Sequence, residues 1–340
     1  MPWGGERDAY KVWLSEIILQ QTRVEQGLPY YERFVTAYPT ITDLAAAPSD
    51  DVMRLWEGLG YYSRARHLHA TAKVVATTYK GIFPSDYADI RALKGVGDYT
   101  AAAIAAFAFD LPYPVVDGNV YRVLSRVFGI ATPIDSTAGK HHFAAVAKEA
   151  LGGAAAAVYN QAIMNFGAMQ CVPASPNCAD CPMNSFCIAR HERQVTVLPV
   201  KEKKMLKRER HFNYLVLRMK GSDTTYLQKR TDNDIWQGLY QFPMLETEAI
   251  VEDEKVLREN PFFESWAESR TFAFVSRSRV YRQTLTHRFI VAQFWEIDLS
   301  EPLDDSITQN FVEVTFSELS SYAMPRILRD YLGDTSPTLF

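Results

Sequence analysis

A short glycine turn between two helix-like segments is the feature that most restricts how this chain can fold. The turn is Gly95-Val96-Gly97; an amphipathic run over residues 87–93 precedes it, and Asp98–Phe109, almost entirely Ala, Ile and Phe, follows it. That composition predicts a buried second helix. The glycines let backbone N–H groups approach a ligand, and the N-terminus of the second helix favours an anion such as a phosphate. The pattern predicts a phosphate-binding helical hairpin, and an ordinary hairpin is an equally open alternative.

Composition limits the class of protein. The chain has 340 residues, of which 47% are hydrophobic and 22% charged, and its net charge is −4. Two or three domains fit this length. The charge excludes a strongly basic nucleic-acid binder, so any such contact must use local patches and backbone dipoles. The start lacks a signal-peptide core, and no apolar run approaches the roughly 18 residues of a membrane span. We therefore expect a soluble, cytoplasmic protein that binds no membrane.

The first predicted helix, residues 9–21, carries a carboxyl group on an apolar face. On a helical wheel Glu16 falls beside Trp13 and Leu19. Burial of a carboxylate is unfavourable and raises its pKa, which suits a general acid at neutral pH. The alternative is structural, with Glu16 paired to an Arg elsewhere in the chain.

A second acidic residue precedes another predicted helix. Asp117 lies before Gly118-Asn119 and a periodic apolar run, which by itself indicates an ordinary N-cap. Because Glu16 and the hairpin occur in the same chain, we interpret Asp117 as the second carboxylate of a catalytic pair. Two carboxyl groups with opposite tasks can cleave a glycosidic bond.

Residues 58–66 mix glycines, aromatic side chains and arginines within a series of short helices over residues 22–110. Aromatic rings can stack on bases and arginines can reach phosphates. This pattern favours a nucleic-acid contact, and the alternative is a helix start with a solvated basic face.

All the cysteines of the chain lie in one short stretch. Cys171, Cys178, Cys181 and Cys187 are spaced Cys-x6-Cys-x2-Cys-x5-Cys. Disulfides are not expected in a cytosolic chain. A zinc site usually has two Cys-x2-Cys pairs, whereas this stretch has one, so a [4Fe–4S] cluster is favoured and zinc remains the alternative.

The pattern changes near residue 211. Residues 191–211 are rich in Lys and Arg and predict a basic linker, either solvated or in contact with DNA phosphate. From residue 212 onward short strands predict a separate α/β domain. The clearest strands are residues 213–219, 225–229 and 288–297. Thr286 and His287 lie just before the last of these strands, and on pattern alone they indicate an ordinary surface.

Several of these segments together resemble one family. They are residues 93–101, 112–119, 13–22 and 58–66 and the four cysteines, with residues 227–243 similar to a Nudix domain. The first two resemble the helix–hairpin–helix–Gly/Pro–Asp superfamily, and the set resembles the MutY adenine DNA glycosylases. The resemblance implies a mostly α catalytic region with an iron–sulfur loop and an α/β Nudix-like C-terminal domain. The implied modules are a cluster domain (1–21 and 111–190), a six-helix barrel with the hairpin (22–110), a basic linker (191–211) and a Nudix-like domain (212–340).

The resemblance also implies an activity. Glu16 would protonate an adenine mispaired with 8-oxoguanine or guanine, Asp117 would stabilise the sugar cation, and Tyr99 and Asn119 would orient the reacting groups. Endonuclease III-like lyases carry Lys where this chain has Tyr99, so we expect a monofunctional glycosylase. The implied contacts to DNA or substrate are Trp3, Leu19, Gln21, Leu59, Tyr61, Gly95, Val96, Gly97, Asn165, Thr286 and His287.

The implied cofactors are a [4Fe–4S] cluster on the four cysteines and a monovalent cation at the hairpin turn. A Nudix hydrolase's Glu-rich metal helix is missing from the sequence, so we expect no pyrophosphohydrolase activity. The expected partner is duplex DNA carrying an A:8-oxoguanine or A:G mispair, and the expected state is a monomer associated with a bacterial nucleoid.

The chain departs from the family pattern at some positions. It has Gly4 after the first Trp, Asn165 where the family has an acidic residue, and Leu285 where the family has an aromatic ring before the Thr-His pair. It also begins later than the family does, which suggests a truncated start. The alternatives are a glycosylase for another base such as thymine, a strand-cutting lyase, and a non-catalytic DNA sensor.

Overall fold

The computed structural model describes residues 5–202, 207–261, 263, 267, 271–303 and 311–335. The chain divides into two compact units, Met1–Ala46 with His67–Lys204 and Ala47–Arg66 with Met205–Phe340. None of the helices in the described ranges is both long enough and apolar enough to span a membrane.

Helices make up the regular structure of residues 5–202. In chain order they are α1 (Ala9–Leu19), α2 (Val24–Ala37), α3 (Ile41–Ala46), α4 (Ser49–Trp56), α5 (Ser63–Thr78), α6 (Tyr87–Ala92), α7 (Asp98–Phe109), α8 (Gly118–Val127), α9 (Thr137–Leu151), α10 (Ala156–Met169) and α11 (Ile188–His191). Of these, α4 belongs to the second unit.

The core of the first unit explains why a carboxyl group on α1 is buried. Helix α1 packs against α7, and α10 packs against α8. Trp13 and Leu14 of α1 are fully buried, and so is almost the whole inner stretch of α7. Helix α1 ends two residues earlier than predicted, because Gln21 has a φ of 54°, a left-handed conformation that no α-helix can include.

The glycine turn forms the predicted helical hairpin between α6 and α7. The Asp86 side chain caps α6 by accepting from the N–H groups of Ala88 and Asp89. Gly95 has a φ of 80°, and a Cβ at this position would lie 2.7 Å from the Cβ of His67 on α5. Both the backbone conformation and the close approach of α5 therefore require glycine.

The second unit contains two sheets. Its strands are β1 (Arg208–Met219), β2 (Thr224–Lys229), β3 (Tyr240–Gln241), β4 (Met244–Thr247), β5 (Phe272–Arg277), β6 (Tyr281–Thr284), β7 (Arg288–Leu299) and β8 (Phe311–Thr315). One sheet has the order β4-β1-β7-β5, with β6 also paired to β7; the other has the order β3-β2-β8. Strands β1 and β7 are parallel, and the other pairs are antiparallel. The described part of the unit also has helices α12 (Glu254–Arg258) and α13 (Arg326–Thr335) and a 3-10 helix (Phe316–Ser321).

Two boundaries differ from the sequence prediction. Strand β1 begins at Arg208, inside the predicted linker, because the pairing of β1 with β7 extends back to Arg288. Residues 47–66, predicted to belong to the helical barrel, group with the second unit. Polar contacts hold them there: Tyr240 donates to Asp50 at 2.8 Å, and Arg329 pairs with Glu57 at 2.7 Å.

Candidate active site

Glu16 is the most deeply buried acidic side chain of the candidate site. Helix α1 begins at the cap formed by Asp8, which accepts from the N–H groups of Tyr10 and Lys11, and it carries Glu16 into the core at 4% exposure. Burial raises the pKa of Glu16 to about 7, the charge of Asp117 adds to this increase, and a hydrogen bond with the Tyr99 hydroxyl opposes it. A carboxyl group with this pKa holds a proton at neutral pH that it can transfer.

Tyr99, near the start of α7, is hydrogen-bonded to Glu16 and lies near the charge of Asp117. Burial raises its pKa well above the ordinary value, and the charges of Glu16 and Asp117 reinforce the increase. The phenol therefore stays protonated and can donate to Glu16. A Tyr at this place can orient an acid but offers no amine.

Asp117 is both the N-cap of α8 and a wall of the site. One carboxylate oxygen accepts from the N–H of Val120 at 2.8 Å, and the other accepts from Asn119 Nδ2 at 2.8 Å. These two bonds fix the plane of the carboxylate. The capping role considered from the sequence is therefore real, and it is compatible with a second role toward a ligand.

Arg122 extends this network away from the site, and sequence reasoning missed it. Its Nη2 donates to Asn119 Oδ1 at 2.8 Å and to the Gly167 carbonyl at 2.5 Å, and its Nε donates to the Cys171 carbonyl at 2.6 Å. Burial lowers the pKa of this guanidinium. The signal in the sequence was a charged side chain, Arg122, among the periodic apolar residues of α8. Arg122 therefore links the Cys171 carbonyl to Asn119, and Asn119 in turn holds Asp117 in position.

The predicted catalytic residues line one cavity of about 850 Å³. Its walls include Glu16, Tyr99, Asp117 and Asn119, together with the predicted contacts Leu19, Gln21, Gly97 and Asn165. A second cavity of about 420 Å³ shares Glu16 and Asn165 with it. In both cavities Gln161 is present, and its Nε2 donates to Asn165 Oδ1 at 2.8 Å. The acid and the carboxylate thus face one space large enough for a nucleotide.

The other predicted contacts of the first unit lie elsewhere. Gly95 and Val96 form the hairpin turn and do not line the 850 Å³ cavity, and Val96 is buried at 4% exposure. Trp3, like Gly4, lies outside the described residues.

The remaining residues predicted to contact DNA lie in the second unit, where they line a cavity of about 590 Å³. Leu59, Tyr61, Thr286 and His287 all line it. The Tyr61 hydroxyl is hydrogen-bonded to Thr286 Oγ1. Tyr61 has a φ of 49° and is 42% exposed, whereas Leu59 is buried.

The four cysteines line a single small cavity. Arg126 lies beside them: its Nη1 is 3.4 Å from Cys171 Sγ, and its carbonyl accepts from Cys187 Sγ at 3.4 Å. Burial raises the pKa of Cys187, and the charges of the other three cysteines raise it further. Among the described residues no group of three or more His, Cys, Asp or Glu is arranged to hold one metal ion.

Comparison with known proteins decides the family. A family model described as HhH-GPD superfamily base excision DNA repair protein matches residues 14–146, and a NUDIX domain model matches residues 213–333. The adenine DNA glycosylase of Buchnera aphidicola subsp. Schizaphis graminum is 34% identical over 247 residues, which cover 73% of this chain and 71% of that protein. The chain belongs to the adenine DNA glycosylase family.

Further similarities agree with this membership. The adenine DNA glycosylase of Mus musculus is 42% identical over 211 residues, 58% of this chain and 41% of the mouse protein. A thermostable thymine-DNA glycosylase of known structure has a TM-score of 0.53 and 29% identity, and the match covers 56% of this chain and 88% of that one. The predicted fold class, a helical glycosylase region followed by a Nudix-like domain, is confirmed, and the enzyme is a DNA glycosylase.

Proposed function

We propose that the enzyme hydrolyses the N-glycosidic bond of adenine mispaired with 8-oxoguanine or guanine in duplex DNA. The observation that carries this proposal is the common cavity of Glu16 and Asp117, with the Tyr99 hydroxyl hydrogen-bonded to Glu16 on its wall. A proton donor and an anion on the walls of one nucleotide-sized space match the needs of glycosidic cleavage.

The chemistry follows from the two environments. The adenine must first leave the helix, because its glycosidic bond is unreachable inside the base stack. Glu16 transfers its proton to N7 of the base, the C1′–N9 bond breaks, and its electron pair leaves with adenine. Asp117 stabilises the positive charge that develops on the sugar, and water then adds to C1′ and loses a proton. The products are free adenine and an abasic site.

The cysteines fit a [4Fe–4S] cluster better than a zinc ion. The four cysteines line one small cavity, and an all-thiolate set of four is the donor set of an iron–sulfur cluster. The stretch has one Cys-x2-Cys pair, whereas a zinc site usually has two. Cys171, Cys178, Cys181 and Cys187 would hold the cluster, which would cross-link this segment and fix the Cys171 carbonyl that accepts from Arg122 Nε.

We infer that the second unit recognises the base opposite adenine. 8-Oxoguanine differs from guanine by an oxygen at C8 and a hydrogen on N7, one acceptor and one donor. Hydroxyl groups such as those of Tyr61 and Thr286, which face one cavity, can donate to the oxygen or accept from the N7–H.

Replacing Thr286 with Val tests this assignment. The change keeps the shape of the side chain and removes the hydroxyl, so the preference for 8-oxoguanine over guanine should fall about tenfold, the value of one or two hydrogen bonds. The measurement is the ratio of single-turnover excision rates on the two mispairs. Thr284→Val, on the wall of the same cavity, is the matched control and should keep the ratio. An unchanged ratio in Thr286→Val removes Thr286 from recognition.

The absence of an amine at residue 99 predicts that the enzyme releases a base without cutting the strand. Borohydride should trap no covalent complex above background with the wild-type enzyme, because only an amine forms a Schiff base. Tyr99→Lys places an amine beside the same cavity and should allow trapping, whereas Tyr99→Phe should not. High-yield trapping by the wild-type protein contradicts the monofunctional mechanism.

A panel of duplexes tests the function as a whole. Adenine, thymine or cytosine is placed opposite guanine or 8-oxoguanine, and release of each base is followed in a single turnover. We expect release of adenine alone, faster opposite 8-oxoguanine. The second candidate is a glycosylase for another base such as thymine, which the Gln161–Asn165 amide pair favours, since an amide presents both a donor and an acceptor. Release of thymine but not adenine would establish that candidate.

A further inference from the structure

The hairpin turn offers a metal ion few backbone oxygens. A monovalent cation at this turn, which the helix–hairpin–helix fold implies, requires carbonyl oxygens directed at it. The Leu93 carbonyl already accepts from the Val96 N–H at 3.1 Å, and the Lys94 carbonyl accepts from Thr71 Oγ1 at 2.8 Å. Each of these oxygens has one lone pair left, so the two are weaker ligands for a metal ion than carbonyls without a hydrogen bond.

The Val96 carbonyl has a cation from the chain itself. Arg91, in the last turn of α6, donates from Nη1 to the Val96 carbonyl at 3.1 Å. A guanidinium at this oxygen already supplies a positive charge, and that charge repels a second cation.

Asp98 holds Arg91 in this position. The Arg91 Nε donates to Asp98 Oδ1 at 2.5 Å across the turn. Asp98 is the first residue of α7, whose N-terminal N–H groups and dipole attract anions. A carboxylate at this end repels a phosphate unless a positive charge compensates it, so the pair leaves the turn able to accept DNA.

We propose that the Arg91 guanidinium takes the place of a monovalent metal ion at the hairpin turn and meets the DNA phosphate there. A guanidinium has five N–H donors, and its hydrogen bonds to described residues use Nε and Nη1. The remaining donors can bind a phosphate oxygen. This inference rests on the proposed binding of DNA.

The affinity for DNA in different salts tests the proposal. The probe is a fluorescent duplex with a tetrahydrofuran abasic analogue opposite 8-oxoguanine, titrated by anisotropy in potassium chloride or in tetramethylammonium chloride at equal ionic strength. Wild-type Kd should agree within about twofold in the two salts, because no metal ion is required. Arg91→Met removes the guanidinium from the Val96 carbonyl and from the DNA phosphate, so binding in tetramethylammonium should weaken about tenfold, and potassium at the vacated carbonyl should restore part of the loss.

Three controls separate the explanations. Arg91→Lys keeps a positive charge and should keep the affinity independent of potassium. Arg33→Met removes an exposed arginine that likewise donates to a backbone carbonyl, that of Pro29, and should show no potassium effect. Arg91→Met combined with Asp98→Asn removes the unpaired carboxylate; if affinity then returns to the wild-type value in both salts, charge compensation alone explains the loss and the proposal is overturned.

The outcomes also separate this inference from the proposed function. A wild-type affinity that depends on potassium, or an Arg91→Met affinity equal to the wild-type value in tetramethylammonium, overturns the role of Arg91 alone. Failure of the wild-type protein to bind the duplex in either salt overturns the proposed function as well.

Discussion

Replacing Glu16 with Gln is expected to abolish adenine release and to leave affinity for the mispair almost unchanged. The amide has the shape of the protonated acid and fits the same buried site, but it has no proton to transfer. General acid catalysis contributes about 10²- to 10⁴-fold, so the single-turnover rate should fall by at least about a hundredfold. Binding to the A:8-oxoguanine duplex, measured by anisotropy, should stay within about twofold of wild type. Retained release removes Glu16 from its role as proton donor.

The pH dependence of the wild-type enzyme follows from the same residue. Because burial raises the pKa of Glu16 to about 7, its acid form disappears as the pH rises through this value. The single-turnover rate should therefore be level below neutrality and fall toward a tenfold decrease per pH unit above it. The residual rate of Glu16→Gln should lose this decrease.

The stability of the wild-type protein should also fall as the pH rises, whereas replacing Glu16 with Gln should raise stability although it abolishes activity. The folded protein keeps a proton on Glu16 that the unfolded chain releases near pH 4.5, so the wild-type protein loses stability as the pH rises from there through about 7. Gln has no charge to bury, so Glu16→Gln should be more stable than wild type above neutral pH by up to about 3 kcal/mol. The two proteins should melt alike at pH 4.5.

The local parts of this site could be predicted from the sequence. The helical wheel places Glu16 in the apolar face of α1, and the structure buries it there. The hairpin also follows the pattern, with α6 and α7 at Tyr87–Ala92 and Asp98–Phe109. Both depend on helical periodicity and on glycine, which act over a few residues.

The long-range parts could not be predicted. Arg122 donates to the Cys171 carbonyl, and Asp50 bonds to Lys229 and Tyr240, which follow it by more than 170 positions. No local pattern encodes such contacts, because they depend on how helices pack. The pairing of Arg91 with the Val96 carbonyl is close in sequence, yet it depends on the direction of one side chain, which composition does not reveal.

The roles of Asp117 as cap and as catalytic group can be separated because Asn also caps helices well. Asp117→Asn should keep the fold, since Asn is as good an N-cap as Asp, whereas Asp117→Ala should lose about 1 kcal/mol of stability. Both variants remove the negative charge that stabilises the sugar cation in the proposed mechanism. Loss of one such stabilising group reduces rates about 10²- to 10³-fold, so the single-turnover rate should fall to a similar level in both.

The comparison of these two variants is what decides between the roles. If Asp117 only capped α8, excision would follow stability, and Asp117→Asn would work nearly as well as wild type. If its charge takes part in the reaction, excision is lost in both variants although only one is destabilised. Thermal melting and single-turnover excision on one A:8-oxoguanine duplex give the two measurements. Asn119 supports the second interpretation, because its Nδ2 donates to the oxygen that the α8 cap does not use, and both residues line the cavity that also contains Glu16.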